Sequence, residues 1–137
     1  MSRAVLDLVA ARLEALIPSR TVFVEAVPDG TLPARYLLVQ EGGDSEEASS
    51  MADKVDLVGH SVLVKSVSFN TDPVAAAREA GWGEEKARDA LRGWRPVIGT
   101  AAWKARASNN YLAPTRDDST GSTAYMVGRY FDLAHQL

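Results

Sequence analysis

Cysteine is absent from this 137-residue chain. That excludes a disulfide framework, a thiolate zinc site and a thiol nucleophile, and it fits a reducing compartment. Histidine is scarce: His60 and His135 are the only two, and neither has a second histidine at metal-ligand spacing. There is no GxxxxGK[ST] phosphate loop and no GxGxxG after a strand. No stretch approaches the roughly 20 apolar residues that span a bilayer, so no membrane partner is expected. Asp7 and Glu14 interrupt the first apolar pattern, which therefore does not read as a signal peptide. An excess of positive charge is also lacking. Fifteen Lys and Arg stand against 18 Asp and Glu, a net charge of −3, so direct nucleic-acid recognition is not expected. No repeat, low-complexity tract or linker divides the chain, and a 46% apolar content suits one domain over residues 1–137.

What is present is a set of short periodic segments. Val5, Leu6, Val9, Leu13, Leu16 and Ile17 recur at helical spacing, and Pro18 stops the pattern, so residues 3–17 are expected to form an amphipathic helix. Residues 21–27 (TVFVEAV) and 35–41 (RYLLVQE) read as strands. Pro28, Asp29, Gly30 and Pro33 mark a turn between them, which predicts an antiparallel hairpin with a loop of about seven residues. Residues 42–57 are polar and glycine-led, and are expected to form an exposed mobile loop. His60–Asn70 reads as a strand with Val62 and Val64 on one face and Leu63, Val67 and Phe69 on the other, covered on both sides. Asp72 and Pro73 are an N-cap and first-turn pair. The helix they start is interrupted by Gly81 and Gly83 and resumes over 84–92, as one broken helix or two short ones. Residues 100–107 predict a short strand, 108–121 a polar turn region, and 122–133 a last strand with Tyr125, Val127, Phe131 and Leu133 on one face. The fold class expected is α+β: a mixed, mostly antiparallel sheet flanked by an N-terminal helix and a central broken helix.

Candidate chemistry is thin. Gly43-Asp44-Ser45 after a strand, with Asp132 and His135 at DxxH spacing, matches the triad motifs of GDS-type hydrolases. Against that reading, Ser45 precedes Glu46 and Glu47, not an apolar helix. The alternating βα units of a parallel sheet are absent, and Asp132 falls inside a strand. The acidic set Asp44, Glu46, Glu47, Asp53 and Asp56 lacks the oxygen spacing of a calcium loop and reads as a solvated segment, as do Asp117 and Asp118. Basic residues are denser in the second half, at Arg88, Arg92, Arg95, Lys104, Arg106 and Arg116, but Glu84, Glu85 and Asp89 sit among them. Trp82, Trp94 and Trp103 fall close together. Core is the default place for each, and an interface is the alternative for one.

The order of these elements carries a resemblance. A leading amphipathic helix is followed by FVEAVPDGTLPARYLLVQE, a polar segment, SVLVKSVSF, a helical stretch ending in DALRGWRP, and a closing TAYMVGRYFDL after an RDD turn. Over nearly the whole chain this resembles the small tail terminator proteins of long-tailed (siphovirus-type) phages, particularly those of actinobacterial hosts. Head-tail connector proteins are similar at this size. The resemblance implies a structural virion protein without enzymatic activity or cofactor. It would form a hexameric ring on the head-proximal end of the tail tube and be assembled in the host cytoplasm. Its partners would be further copies of itself, the tail tube protein and head-tail connector proteins. A ring of one chain joins two different patches. Segregation of charge along the sequence suggests Asp44, Glu46, Glu47 and Asp53 for one patch and Arg88, Arg92 and Arg95 for the other. Segments 28–34 and 42–57 are the reaching elements expected.

Overall fold

The computed structural model describes residues 3–48 and 55–136. In chain order it comprises α1 (Arg3–Leu16), β1 (Thr21–Val24), β2 (Arg35–Ala48), β3 (Val55–Asn70), α2 (Pro73–Leu91), β4 (Val97–Ile98), β5 (Ala101–Ala102), β6 (Lys104–Asp117) and β7 (Thr123–Gln136). Five strands make one sheet in the order β1-β2-β3-β7-β6, and β4 and β5 form a separate two-stranded ribbon. Every pair in the large sheet is antiparallel except β1–β2. The α+β class expected from the sequence is the class observed.

The apolar stripe of α1 (Val5, Leu6, Val9, Leu13) and the small face of α2 (Ala87, Ala90, Leu91) share one core with Leu37, Val39, Val62, Val64, Phe131 and Leu133 of the sheet. These strand positions alternate along the chain, as side chains on one face of a pleated sheet must. The opposite face carries a smaller cluster of Tyr36, Leu38 and Val67, with Phe23, Val27, Leu32, Phe69 and Met126 packed against it. β3 is therefore the central strand, with buried residues on both faces.

The expected antiparallel hairpin of the first two strands is not formed: β1 runs parallel to β2, Thr21 beside Tyr36 and Val24 beside Val39. The connection explains this. Glu25 leaves the strand with φ +70°, its N–H donates to Val39 O at 2.8 Å, and its carbonyl accepts from Gln40 Nε2. Val27 and Leu32 then cover the aromatic side of the sheet. Burying two apolar residues there carries the chain across the face and back to the starting end, where a tight turn would leave both in water.

Of the segment expected to be a loop, residues 42–48 and 55–57 are strand, and 49–54 lie outside the described residues. β2 continues to Ala48 and β3 begins at Val55, paired from Glu41↔Val62 outward to Ala48↔Val55. A ladder satisfies backbone groups whatever the side chains, so polar composition did not preclude it. The register shifts between Glu41 and Gly43. Gly42 sits at that bulge, where a Cβ would lie 2.8 Å from Ser61 O, so only glycine fits without a shift. Likewise β6 runs through most of the predicted turn region, to Asp117, with irregular pairing between Ala107 and Tyr111 and between Leu112 and Thr115.

α2 is one continuous helix through Gly81 and Gly83. Its N-terminus is as the sequence indicates: Asp72 Oδ1 accepts from Val74 N at 3.0 Å and Pro73 opens the first turn. Replacing Asp72 by Ala is expected to lower stability by about 1 kcal/mol, with Asp72→Ser costing far less, in a denaturant titration.

Candidate functional site

Two polar surfaces lie at opposite ends of β2. The first is its distal half, which carries the acidic candidates. Asp44 pairs with His60, Glu46 with Val58 and Glu47 with Leu57 in the ladder. β7 continues beside β3 to Gln136, whereas β1 stops at the level of Val39. Asp53 lies outside the described residues. His60 packs inward, its ring stacked on buried Trp103 with centroids 4.8 Å apart.

The basic candidates are at the C-terminal end of α2. Arg88 is half-buried and donates to Glu84 Oε2 at 3.3 Å. Arg92 is the C-cap, its N–H bonded to Arg88 O, and Arg95 is exposed in the following connection. This end of α2 is tied to β6 by Gly93 N→Ala105 O and Ala105 N→Trp94 O. Ala105 is opposite Leu133, which is opposite His60, which is opposite Asp44. The acidic and basic candidates therefore sit at one end of the sheet but about three strand spacings apart, roughly 14 Å.

The second surface was not anticipated. At the other end of β2, a hollow of about 380 Å³ is lined by Ser19, Arg20, Arg35, Arg78, Glu79 and Trp82. The α1–β1 turn supplies Ser19 and Arg20, the first residue of β2 supplies Arg35, and α2 supplies the rest. Arg20 is only 8% exposed; its Nη2 donates to Glu79 O at 3.2 Å, and its guanidinium lies 4.6 Å from the centroid of the Trp82 ring. Burial, then the neighbouring charge of Arg35, lower the Arg20 pKa. Glu79 is the one carboxylate in the hollow, and it is committed. It accepts from Ser68 Oγ and from Asn70 Nδ2 at 3.1 Å, and Arg35 Nε stands 3.5 Å away. Three cations thus face one anion whose oxygens are already shared.

Trp82 is the outlier of the three tryptophans. Trp103 is buried and Trp94 packs against the core, whereas Trp82 is 39% exposed. The close spacing of the tryptophans was the one sequence signal that touched this site. Arg20, Arg35 and Arg78 are far apart in the chain, and no periodicity joins them.

The hydrolase motifs lie on β2 and β7, with β3 between them. Ser45 is opposite Gly59 within a ladder, and Gly59 is opposite Ala134. Asp132 is opposite Ser61 and lies 4.0 Å from Arg106 Nε. His135 is opposite Val58 in the ladder. A second, polar hollow of about 510 Å³ beside Arg106, Asn109, Asn110 and Asp132 follows the bulged part of β6. Among the described residues no group of three or more His, Asp or Glu is placed to hold a metal, and no helix is long and apolar enough to cross a membrane. Asp117 and Asp118 staple the β6–β7 turn. Asp117 accepts from Ser119 N at 2.9 Å, and Asp118 accepts from Thr123 Oγ1 at 2.6 Å and from Arg116 Nε. These bonds hold both carboxyls below their usual pKa.

No known protein-family profile matches the sequence, and no curated protein matches it significantly. The fold does have solved counterparts. The backbone aligns with a chain of the solved virion of a native gene transfer agent particle over 94% of this chain and 92% of that one, with a TM-score of 0.58 and 17% identity. The two chains share a fold. A second solved chain, described only by a sequence identifier, aligns over 97% of this chain and 96% of its own length, with a TM-score of 0.60 and 16% identity.

Proposed function

We propose that this chain is a structural virion protein that forms a ring, a hexamer, on the head-proximal end of a phage tail tube. There it ends tube growth and offers the surface to which the head joins. The observation that carries the reading is the shared fold, over nearly the full length of both chains, with a component of a gene transfer agent virion. Element order in the sequence points to the same class, the tail terminators. The partners are further copies of the chain, the tail tube protein and head-tail connector proteins. The ring binds and blocks; it does not catalyse. Asymmetry supports it: a closed ring needs two unlike patches on each copy, and the chain bears an acidic strand end and, at two other places, arginine-rich surfaces.

Light scattering after size exclusion tests the ring. The expected species has about six times the 14.7 kDa chain mass. Added to polymerising tail tube protein, that species should stop elongation and label one end of each tube in electron micrographs. Tubes that grow to unchanged lengths, with the protein bound to portal-side components instead, would replace the terminator by a head-tail connector.

A further inference from the structure

We propose that the hollow formed by Arg20, Arg35, Arg78 and Trp82 receives the acidic distal half of β2, around Asp44, Glu46 and Glu47, from a second copy of this chain. This rests on the ring reading above and names its contact, in place of the Arg88, Arg92 and Arg95 surface that the sequence suggested.

The argument begins with charge. The protein is acidic overall, with a net charge of −3, yet this hollow holds three guanidiniums against Glu79, which already accepts from Ser68 and Asn70. Arg20 donates to a backbone carbonyl and lies against the Trp82 ring, and the one carboxylate whose charge reaches it, Glu79, is shared with Arg35. A guanidinium largely withdrawn from water in this way favours a carboxylate brought to it, because attraction is stronger where water is excluded. Trp82 adds a half-exposed aromatic surface of the kind enriched at protein contacts. The occupant should therefore be anionic and peptide-like.

Geometry selects the source. Arg35 opens β2, and Glu46 and Glu47 lie near its other end. Eleven residue steps along the strand separate Arg35 from Glu46, roughly 35 Å. The ladder with β3 runs the length between them, so the acidic run cannot fold back into the hollow of its own chain. Hollow and acidic run lie at opposite ends of β2, which suits head-to-tail joining of identical copies.

The chain has no cysteine, so single cysteines report cleanly. Ser19→Cys marks the hollow and Ser45→Cys marks the acidic strand. The two variants are mixed as full-length proteins and treated with a short bismaleimide. A crosslinked dimer is expected in the mixture and not with either variant alone. Arg35→Glu with Arg78→Glu in the Ser19→Cys partner should lower the yield at least about tenfold. Glu46→Lys with Glu47→Lys in the Ser45→Cys partner should do the same, and combining the two reversals should restore it. Restoration cannot arise from a variant that fails to fold. A mixture that crosslinks no more than the separate variants, or a yield indifferent to both reversals, overturns the contact. If light scattering still shows the closed species in that case, the ring stands and only its joint is reassigned. A crosslink without any closed species keeps the contact and removes the ring.

Discussion

Gly83→Val is expected to cost about 3 kcal/mol of stability, and Gly83→Ala about 1–2 kcal/mol, although Ala is normally the better helix former. α2 crosses β3 at this point so closely that a Cβ on Gly83 would run into Ser66 Oγ and lie 3.3 Å from Ser66 Cβ and 3.5 Å from Leu37 Cδ2. Leu37 is fully buried and Ser66 nearly so, which leaves little room for either to retreat. Two residues earlier the sign reverses. A Cβ on Gly81 would meet nothing within 4 Å, so Gly81→Ala should stabilise by up to about 1 kcal/mol. Ser66 makes the cause testable. Its buried hydroxyl has no hydrogen-bond partner among the described residues, so Ser66→Ala alone should be neutral or stabilising by up to about 1 kcal/mol. In that background Gly83→Ala should lose well over half of its penalty. Denaturant titration of the four proteins gives the coupling, and additivity of the two changes would refute the clash.

Glu84→Ala should destabilise by about 2–3 kcal/mol, somewhat less than the 3–5 kcal/mol typical of breaking a fully buried pair. Arg129 Nε donates to Glu84 Oε1 at 2.6 Å, and its Nη1 donates to Ser108 O at 3.2 Å. The side chains are 23% and 15% exposed, so removing Glu84 leaves Arg129 half-desolvated between α2 and the sheet. Arg88 is a weaker partner to the same carboxylate at 3.3 Å and belongs to the helix surface, so Arg88→Ala should cost no more than about 0.5 kcal/mol. Replacing both members of the cross-layer pair, Glu84→Leu with Arg129→Met, should recover most of the loss. Equal effects of Arg88→Ala and Glu84→Ala would mean that the local helix pair, and not the bond to β7, carries the energy. The sequence shows the Glu84–Arg88 pair by its spacing and hides the stronger one, because 45 residues separate Glu84 from Arg129.

That contrast recurs through the molecule. The stripe of α1, the Asp72–Pro73 start of α2 and the two-faced character of β3 were all legible in the chain. Each is set by residues within a few positions of one another, where helix and strand periods act directly. The α+β class follows from those elements together. Gly81 and Gly83 looked alike as helix breakers, and only the crossing of α2 over Ser66 separates an idle glycine from a required one. The segment after Glu41 looked like a loop because its side chains are polar. Ladder pairing with β3, itself held by β7, made it strand. The direction of β1 depended on where Val27 and Leu32 found cover, on a sheet face built from β2, β3 and β7. The arginine hollow is the extreme case. Arg20, Arg35 and Arg78 come from three elements and meet only once α1, β2 and α2 are packed. Local structure is decided by neighbours in sequence, over which backbone geometry has a fixed period. A site assembled from distant residues is decided by which apolar faces bury one another, and that is settled only in three dimensions.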